Sequence, residues 1–136
     1  MRYSLDVGAL APERAHDTDA GADLRSPIYF TIPAHGNCII NTGVHIELPP
    51  NTVGMLKSKS GLNVKHDIVS EGVLDEGYTG SIVVKLYNLG DRDYKVNKGD
   101  KITQLVVLPV KYVDFELVES VDGGERGEEG FGSTGK

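Results

Sequence analysis

Short apolar runs with alternating polar positions recur along this chain, and turn-forming residues separate them roughly every ten residues. Alternation with a period of two is the pattern of half-buried β-strands. No stretch keeps a long helical periodicity, and one short helix is expected near residue 60. The pattern therefore predicts an all-β subunit, a jelly roll or distorted β-barrel, with one short helix.

The alternation also places the individual strands. They cover residues 3–7, 28–32, 38–48, 94–96, 101–110 and 112–118, and further strands contain Asp23, begin at Val53 and flank residues 72–80. Segments rich in proline, asparagine and glycine, such as 33–37 and 49–52, supply the turns.

Residues 72–80 are predicted to form a tight β-hairpin. Gly77 permits a positive φ at the bend, and the apolar run resumes at Ile82. Alternation is expected to turn Asp75 into a pocket between strands and Glu76 the other way. One of these acids is therefore a candidate for chemistry. The plain alternative is a solvated acidic turn, because acids and glycine are common turn formers.

The start of the short helix is a second candidate site. Ser60 is predicted as its N-cap, with Lys57, Lys59 and Gly61 close in sequence. Free N–H groups, a hydroxyl and nearby cations together favour an anion. The alternative is a capped surface helix whose lysines are solvated.

Two polar residues in predicted strands have two acceptable roles each. Asp23 follows small residues that indicate close backbone packing, and it suits a structural or a functional role. Gln104 lies beside Leu105 in the most apolar strand, where an unpaired amide would be costly. Its side chain should therefore pair with backbone or face a ligand.

Composition narrows the function classes. The chain has 136 residues, of which 39% are apolar, and this suits one modest domain. Its formal net charge of -6 opposes generic binding to nucleic acid or anionic membranes. Cys38 is the single cysteine and the four histidines lack ligand spacing, so neither a disulfide framework nor a cysteine or histidine metal site is expected. Without a membrane-length apolar run or a signal-peptide core, a soluble cytoplasmic protein is expected.

The composition changes near residue 121. Residues 1–120 are predicted to form the β domain and residues 121–136 a mobile glycine-rich arm, because the tail cannot bury a core. Its glycines match a dinucleotide fingerprint and the start of a P-loop, but both motifs need a preceding strand and a following helix, so both are rejected. The residue types still suit phosphate, through Arg126, Ser133 and Thr134, and base stacking, through Phe131.

Five segments occur in order and together resemble the five motifs of the trimeric deoxyuridine triphosphate nucleotidohydrolases, the dUTPases. They are residues 20–24, 59–62, 72–80, 99–105 and 126–135, the last with the sequence Gly-Phe-Gly-Ser-Thr-Gly at its end. The resemblance implies a jelly-roll homotrimer with active sites built from several chains, each closed by a C-terminal arm. It also implies hydrolysis of dUTP to dUMP and pyrophosphate, with Mg²⁺ held mainly by the triphosphate.

The same resemblance implies roles for individual residues. Asp75 corresponds to the base that deprotonates the attacking water, and Tyr78 packs where a ribose 2′-hydroxyl would clash. Backbone groups of Gly72 and Val73 read the uracil edge. No direct protein ligand to Mg²⁺ is expected, and Asp23 is the candidate for a contact through water. The remaining substrate-binding residues fall in two groups: Lys59, Ser60, Gly61 and Gln104 near the phosphates, and Arg126, Phe131, Gly132, Ser133 and Thr134 in the arm. In the arm, Phe131 covers the uracil.

Four positions depart from the usual family pattern. Lys59 replaces a common arginine with a point charge, and Gly77 and Thr79 stand where aspartate and arginine are common. Glu71 stands where a small residue is usual, so its side chain must turn away from the base pocket or the pocket differs.

Two other functions fit the fold that the resemblance implies. A dCTP deaminase would need a placed glutamate, for which Glu71 or Glu76 could serve, but the glycine-phenylalanine tail argues against it. A non-enzymatic nucleotide-binding module would have no need of Asp75.

Overall fold

The computed structural model describes residues 1–121, 123, 124 and 127, and antiparallel strands are the main regular secondary structure of that part of the chain. The elements in chain order are β1 Arg2–Leu5, β2 Gly21–Arg25, β3 Phe30–Ile32, β4 Asn37–Asn41, β5 Val44–Glu47, β6 Thr52–Lys57, α1 Ser60–His66, β7 Ile68–Leu74, β8 Val83–Asn88, β9 Tyr94–Val96 and β10 Lys101–Pro109.

A six-stranded sheet with the order β2-β10-β6-β7-β8-β4 forms the body of the molecule. Its longest strand is β10, with 9 residues, which pairs with β2 on one side and β6 on the other. Two small sheets, β1-β5 and β3-β9, complete the structure. The large sheet curls into a half-barrel of the jelly-roll type, and the predicted all-β class with one short helix is confirmed.

The core inside this curl is aliphatic. Leu24, Ile32, Val84 and Leu86 are fully inaccessible, and each such side chain contributes about 1.5–3 kcal/mol through burial. Polar groups that enter the core are paired: the Asn88 amide donates to two backbone carbonyl oxygens at 2.8 and 3.1 Å. Among the described residues, every buried side-chain nitrogen and oxygen has a hydrogen-bond partner.

The helix is confirmed, but its predicted cap is wrong. Lys59 occupies the N-cap position, no side chain caps the helix, and Ser60 is its first residue. The chain leaves β6 at Ser58, whose hydroxyl exchanges hydrogen bonds with the backbone of Ser70 at 2.9 and 3.0 Å. This anchor lets the helix begin one residue earlier than predicted. Within the described ranges, no helix has the length and apolarity needed to cross a membrane.

Several predicted strands differ in extent from the observed ones. β3 begins at Phe30 rather than at residue 28, and β10 ends at Pro109 rather than at residue 110. The first strand covers Arg2–Leu5 rather than residues 3–7, because Asp6 already turns toward Gly43, whose carbonyl accepts its N–H at 2.8 Å. The run at 38–48 is divided into β4 and β5 by a corner at Gly43, where φ is 68°. A positive φ of this size interrupts a strand.

The strand predicted at residues 112–118 is wrong. Apolar and polar residues alternate in its sequence, but no strand of the described chain lies beside it, and Phe115 and Leu117 are 97% and 98% exposed. Alternation produces a strand only where a neighbour supplies hydrogen-bond partners.

Candidate functional site

The predicted hairpin at residues 72–80 is open rather than tight. β7 pairs with β8 only from Ile68 to Ser70. The rest of β7, up to Leu74, pairs with β6 alone, and the first residues of β8 pair with β4 instead. The loop that joins the two strands, residues 75–82, is called the Asp75 loop below. Because β8 diverges from β7, the backbone edge of residues 72–74 that faces away from β6 has no ladder partner among the described strands.

The two acids at the start of this loop differ in their contacts. Glu76 accepts hydrogen bonds from the Asn51 N–H at 2.8 Å and from the Tyr112 hydroxyl at 2.6 Å. The hydrogen bond from Tyr112, followed by that from Asn51, lowers the pKa of Glu76, which is therefore an ionised anchor for the loop. Asp75 is exposed, and no described residue donates a hydrogen bond to its carboxylate. The Asp75 carboxylate is therefore accessible to a ligand.

Contacts within the Asp75 loop fix Tyr78. Its hydroxyl donates to the Ser81 carbonyl at 3.0 Å, and its N–H donates to the Asp75 carbonyl at 3.1 Å. The ring lies over Gly80, where an added Cβ would be 2.5 Å from the Tyr78 hydroxyl oxygen. Gly77 has φ of 88°, so the positive φ expected there is confirmed. Tyr78 is 45% exposed, which leaves part of the ring open to a ligand.

Glu71 turns toward β6. Its carboxylate oxygens lie 2.9 and 3.0 Å from Nζ of Lys57, its partner in the sheet register. Side chains directly opposite each other on neighbouring strands share one face of a sheet. The ion pair therefore holds the carboxylate on the β6 side, away from the unpaired edge of residues 72–74.

A second group of predicted residues lies around Asp23 in β2 and comprises Asp23, Lys59, Ser60, Gly61 and Gln104; it is called the Asp23 cluster. Asp23 is 6% exposed, and its two carboxylate oxygens contact Nζ of Lys59 and, at 2.7 Å, Nζ of Lys101. Burial raises the pKa of Asp23, but the hydrogen bonds and charges of Lys101 and Lys59 outweigh burial and bring it below its ordinary value. Asp23 is therefore ionised, with both oxygens occupied.

Gln104 joins this cluster from β10. Its amide nitrogen donates to the Ser58 carbonyl at 3.1 Å, so the backbone pairing expected as one of two roles is present. Its Oε1 would lie 2.6 Å from a Cβ added at Gly21, which explains why a small residue precedes Asp23. Ser60 and Gly61 form the exposed first turn of α1.

The predicted site residues thus form two groups on one chain. Lys57 of β6 pairs with Gln104 of the Asp23 cluster, whereas Gly54 of β6 pairs with Leu74, next to Asp75. At about 3.3 Å per residue, these two positions on β6 are roughly 10 Å apart. Arg126, Phe131, Gly132, Ser133 and Thr134 lie outside the described residues. Within the part of the chain that the structure describes, no three histidine, cysteine, aspartate or glutamate side chains are arranged to hold a metal ion.

Sequence reasoning missed three contacts that support these groups. Lys57 holds Glu71, Lys101 completes the ion pairs of Asp23, and the His45 ring contacts the Thr79 carbonyl at 2.9 Å. Charge complementarity across neighbouring strands is the signal that could have predicted the Lys57–Glu71 ion pair. His45 lines a cavity of about 640 Å³ between the β1-β5 sheet and the Asp75 loop, and a sequence pattern does not predict packing between separate sheets.

The chain is similar to known proteins over nearly its whole length. The sequence model of the dUTPase family matches residues 9–135. The deoxyuridine 5′-triphosphate nucleotidohydrolase of Clostridium acetobutylicum is 44% identical over 134 residues, which are 96% of this chain and 92% of that protein.

Solved structures extend the similarity to the fold. The Staphylococcus bacteriophage 80alpha dUTPase with dUpNHpp matches with a TM-score of 0.92 at 30% identity, over 99% of this chain and 98% of that one. A mutant dUTPase from phage phi11 of S. aureus, described for its coordination of a structural Mg(II) ion, matches with a TM-score of 0.81 at 27% identity, over 90% of this chain and 98% of that one.

Proposed function

This chain belongs to the dUTPase family, and from that premise we propose that it hydrolyses dUTP to dUMP and pyrophosphate. Water attacks the triphosphate, and the bond that joins the α-phosphate to the pyrophosphate group breaks. The reaction keeps uracil out of DNA and supplies dUMP for dTMP synthesis. The observation that carries the proposal is the open end of β7, where an unpaired backbone edge lies beside Asp75 and Tyr78.

The unpaired edge of Gly72 and Val73 suits recognition of uracil. The pairing edge of uracil presents an acceptor, a donor and an acceptor, and fixed backbone groups can match that order. Cytosine presents a different order and would leave buried groups unpaired, which is a strong basis for discrimination. The Lys57–Glu71 ion pair supports this role because it keeps the carboxylate of Glu71 away from the edge.

Asp75 is proposed as the general base. Its exposed carboxylate accepts a proton from the attacking water, and its position next to the base-reading edge brings that water to a nucleotide bound there. Glu76 cannot exchange roles with Asp75 without losing the two hydrogen bonds that anchor the loop. Tyr78 packs against the deoxyribose, and this contact excludes a 2′-hydroxyl.

The Asp23 cluster is proposed to bind phosphate through Lys59, Ser60, Gly61 and Gln104. Phosphoryl transfer depends chiefly on positioning and charge neutralisation, which N–H groups, hydroxyls and ammonium groups supply. Mg²⁺ is proposed as the cofactor that accompanies the triphosphate and neutralises part of its charge. Both oxygens of Asp23 already contact lysines, so this carboxylate does not fit a direct metal ligand, and a contact through water would compete with those ion pairs.

A homotrimer with shared active sites is the proposed assembly. The segment at 112–121 exposes a row of apolar side chains with no strand beside it in the described chain, which suits a neighbouring subunit. The separation of the Asp23 cluster from the Asp75 loop suits a site to which different subunits contribute. Residues 121–136 are proposed as the arm that closes over that site, through Arg126, Phe131, Gly132, Ser133 and Thr134. Cys38 is a free thiol, which agrees with the proposed cytoplasmic location.

Pyrophosphate release from dUTP, dTTP, dCTP and UTP in the presence of Mg²⁺ tests the activity. Wild type should turn over dUTP in clear preference to the other three. Asp75→Asn should lower kcat by about 10²–10⁴-fold, the usual contribution of a general base, because the amide cannot accept the proton. The matched control is Asp91→Asn, which removes an equally charged and exposed carboxylate outside the proposed site and should leave kcat unchanged.

Three outcomes would contradict the proposal. Absence of dUTP turnover by wild type would contradict the proposed activity. Undiminished turnover by Asp75→Asn would contradict the role of Asp75 as the general base. Release of ammonia from dCTP would instead identify a deaminase.

A further inference from the structure

His45 connects two segments that are distant in sequence. It lies in β5 opposite Ser4 of β1 and is 29% exposed at its side chain. Nδ1 of the ring is 2.9 Å from the Thr79 carbonyl oxygen, in the Asp75 loop. Nε2 is 3.2 Å from Oδ1 of Asp6, just after β1. One imidazole therefore ties the Asp75 loop to the N-terminal strand.

This geometry specifies the charge of the ring. A carbonyl oxygen can only accept a hydrogen bond, so Nδ1 must carry a proton. An ionised carboxylate also only accepts, so Nε2 needs a proton as well, and the imidazolium is the form of histidine that has both. The hydrogen bond to Thr79 raises the pKa of His45, partial burial lowers it, and Asp6 raises it; the balance lies above the ordinary value.

Among the described residues, the other charged and titratable groups around this ring are tyrosines or are paired elsewhere. From β1, from β5 and from the Asp75 loop, the groups that line the same cavity are Arg2, Tyr3, Glu47, Glu76 and Tyr78. Arg2 is paired with Glu47, and Glu76 accepts from Asn51 and Tyr112. Asp6 is thus the carboxylate that pairs with the imidazolium.

The contact between His45 and Thr79 lies directly beside Tyr78, the proposed sugar-binding residue. Thr79 is the direct neighbour of Tyr78, whose ring lies over Gly80 and whose hydroxyl donates to Ser81. The end of the loop is fixed on the same strand, because the Ile82 N–H donates to the Val44 carbonyl at 2.8 Å. The hydrogen bond between His45 and Thr79 therefore fixes the middle of the loop.

We propose that His45, as the imidazolium, is a positioning residue that holds Tyr78 in place through the Thr79 carbonyl and so sets discrimination between deoxyribose and ribose. This inference rests on the proposed function for the role of Tyr78. When the ring loses its proton, Nε2 presents a lone pair to Asp6 and that contact is lost, while the hydrogen bond from Nδ1 to the Thr79 carbonyl remains but loses its charge assistance. Discrimination between dUTP and UTP is therefore complete at pH values below the pKa of free histidine, about 6.5. It declines as the pH rises through the higher pKa of His45.

The test compares kcat/KM for dUTP and for UTP across pH in wild type, His45→Gln, Asp6→Asn and the matched control His35→Gln. His35 makes the same kind of contact, with Asp91 at 2.9 Å, outside the site. In wild type the dUTP-to-UTP ratio should fall about tenfold above the His45 transition, the weight of one charge-assisted hydrogen bond. His45→Gln should have the lower ratio at every pH, Asp6→Asn should move the transition to lower pH, and His35→Gln should behave as wild type.

A wild-type pH profile in His45→Gln would overturn the proposal, as would an equal loss of dUTP and UTP turnover that follows thermal stability. NMR titration of the His45 ring gives an independent result. The Gly80 amide, next to Thr79, should titrate with the same midpoint as the ring in wild type, and both midpoints should shift to lower pH in Asp6→Asn. If wild type does not hydrolyse dUTP, the proposed function fails. The titrations of the His45 ring and the Gly80 amide still decide whether His45 holds the loop, because different midpoints for the two groups would exclude that role.

Discussion

At the residue scale, Asp23 is a buried carboxylate whose charge is balanced by two ammonium groups, from Lys59 and Lys101. Loss of one partner from a buried ion pair leaves the others uncompensated. Asp23→Asn should therefore lower the free energy of unfolding by roughly 3 kcal/mol at neutral pH. Urea denaturation at a fixed protein concentration measures this difference.

The pH dependence of this difference in unfolding free energy distinguishes the loss of the Asp23 charge from a change in packing. Because the pKa of Asp23 is lowered in the folded state, its stabilisation is complete above the ordinary carboxyl pKa, about 3.9, and is lost as the pH falls through the lowered value. The gap between wild type and Asp23→Asn should therefore shrink in acid. A gap that stays constant would assign the effect to amide packing. Asp17→Asn, at an exposed position, is the control and should show no gap.

The two acids at 75 and 76 mark the limit of sequence reasoning at this scale. Alternation predicts that Asp75 enters a pocket between strands and that Glu76 points the other way, whereas both acids are exposed and Glu76 is the one that lines the cavity beside the β1-β5 sheet. Alternation also does not identify Asn51 and Tyr112 as the partners of Glu76, because both lie more than twenty positions away in sequence. Long-range donors depend on the assembled fold, and these donors are what leave Asp75 as the acid available for chemistry.

At the scale of elements, the Asp75 loop depends on Gly77. Its φ of 88° is unfavourable for other residues, yet no atom of the described residues lies within 4 Å of an added Cβ. A substitution there adds backbone strain without a clash, and alanine costs about 1 kcal/mol at such a φ. Gly77→Ala should therefore lower kcat/KM for dUTP about fivefold, whereas Gly77→Asn should lose less, because asparagine tolerates this conformation.

A matched substitution separates loop geometry from general strain. Gly99 has φ of 93° and equal open space, but it lies in the β9–β10 turn. Gly99→Ala should reduce the melting temperature by a similar amount and leave kcat/KM unchanged. Equal activity losses in the two alanine variants would show that strain anywhere in the domain, rather than at the loop, limits turnover.

The elements that sequence reasoning mispredicted are those whose extent depends on where a neighbouring strand lies. β9 has the predicted bounds, although its partner β3 is distant in sequence, because clear turns delimit it on both sides. The hairpin at 72–80 opens because β8 pairs with β7 only from Leu86 to Asn88, while β4 continues along the other edge of β8 to Val83, and a pattern along one strand does not reveal where its neighbour diverges. The alternating segment at 112–118 similarly lacks a strand within the described chain.

At the scale of the whole molecule, the exposed apolar segment at 112–121 and the separation of the Asp23 cluster from the Asp75 loop both suit the proposed site to which other subunits contribute. In a closed cyclic trimer, each subunit would offer its Asp75 loop to one site and its C-terminal arm to another. The proposed arm begins at about residue 121, and the exposed apolar segment directly before it would carry it onto a neighbour.

Mixed trimers test this arrangement directly. Asp75→Asn chains lack the base but keep the arm, and chains truncated after Asp122 keep the base but lack the arm. Each alone should be nearly inactive, because kcat/KM for dUTP needs both. If base and arm come from different subunits, co-refolding equal amounts should restore about one quarter of the sites, since each intact contribution is present with a chance of about one half. Co-refolded truncated chains with Asp91→Asn, and the two inactive proteins mixed after folding, provide the upper and lower references. Activity that stays at the lower reference, while light scattering confirms mixed trimers, would mean that each chain completes its own site.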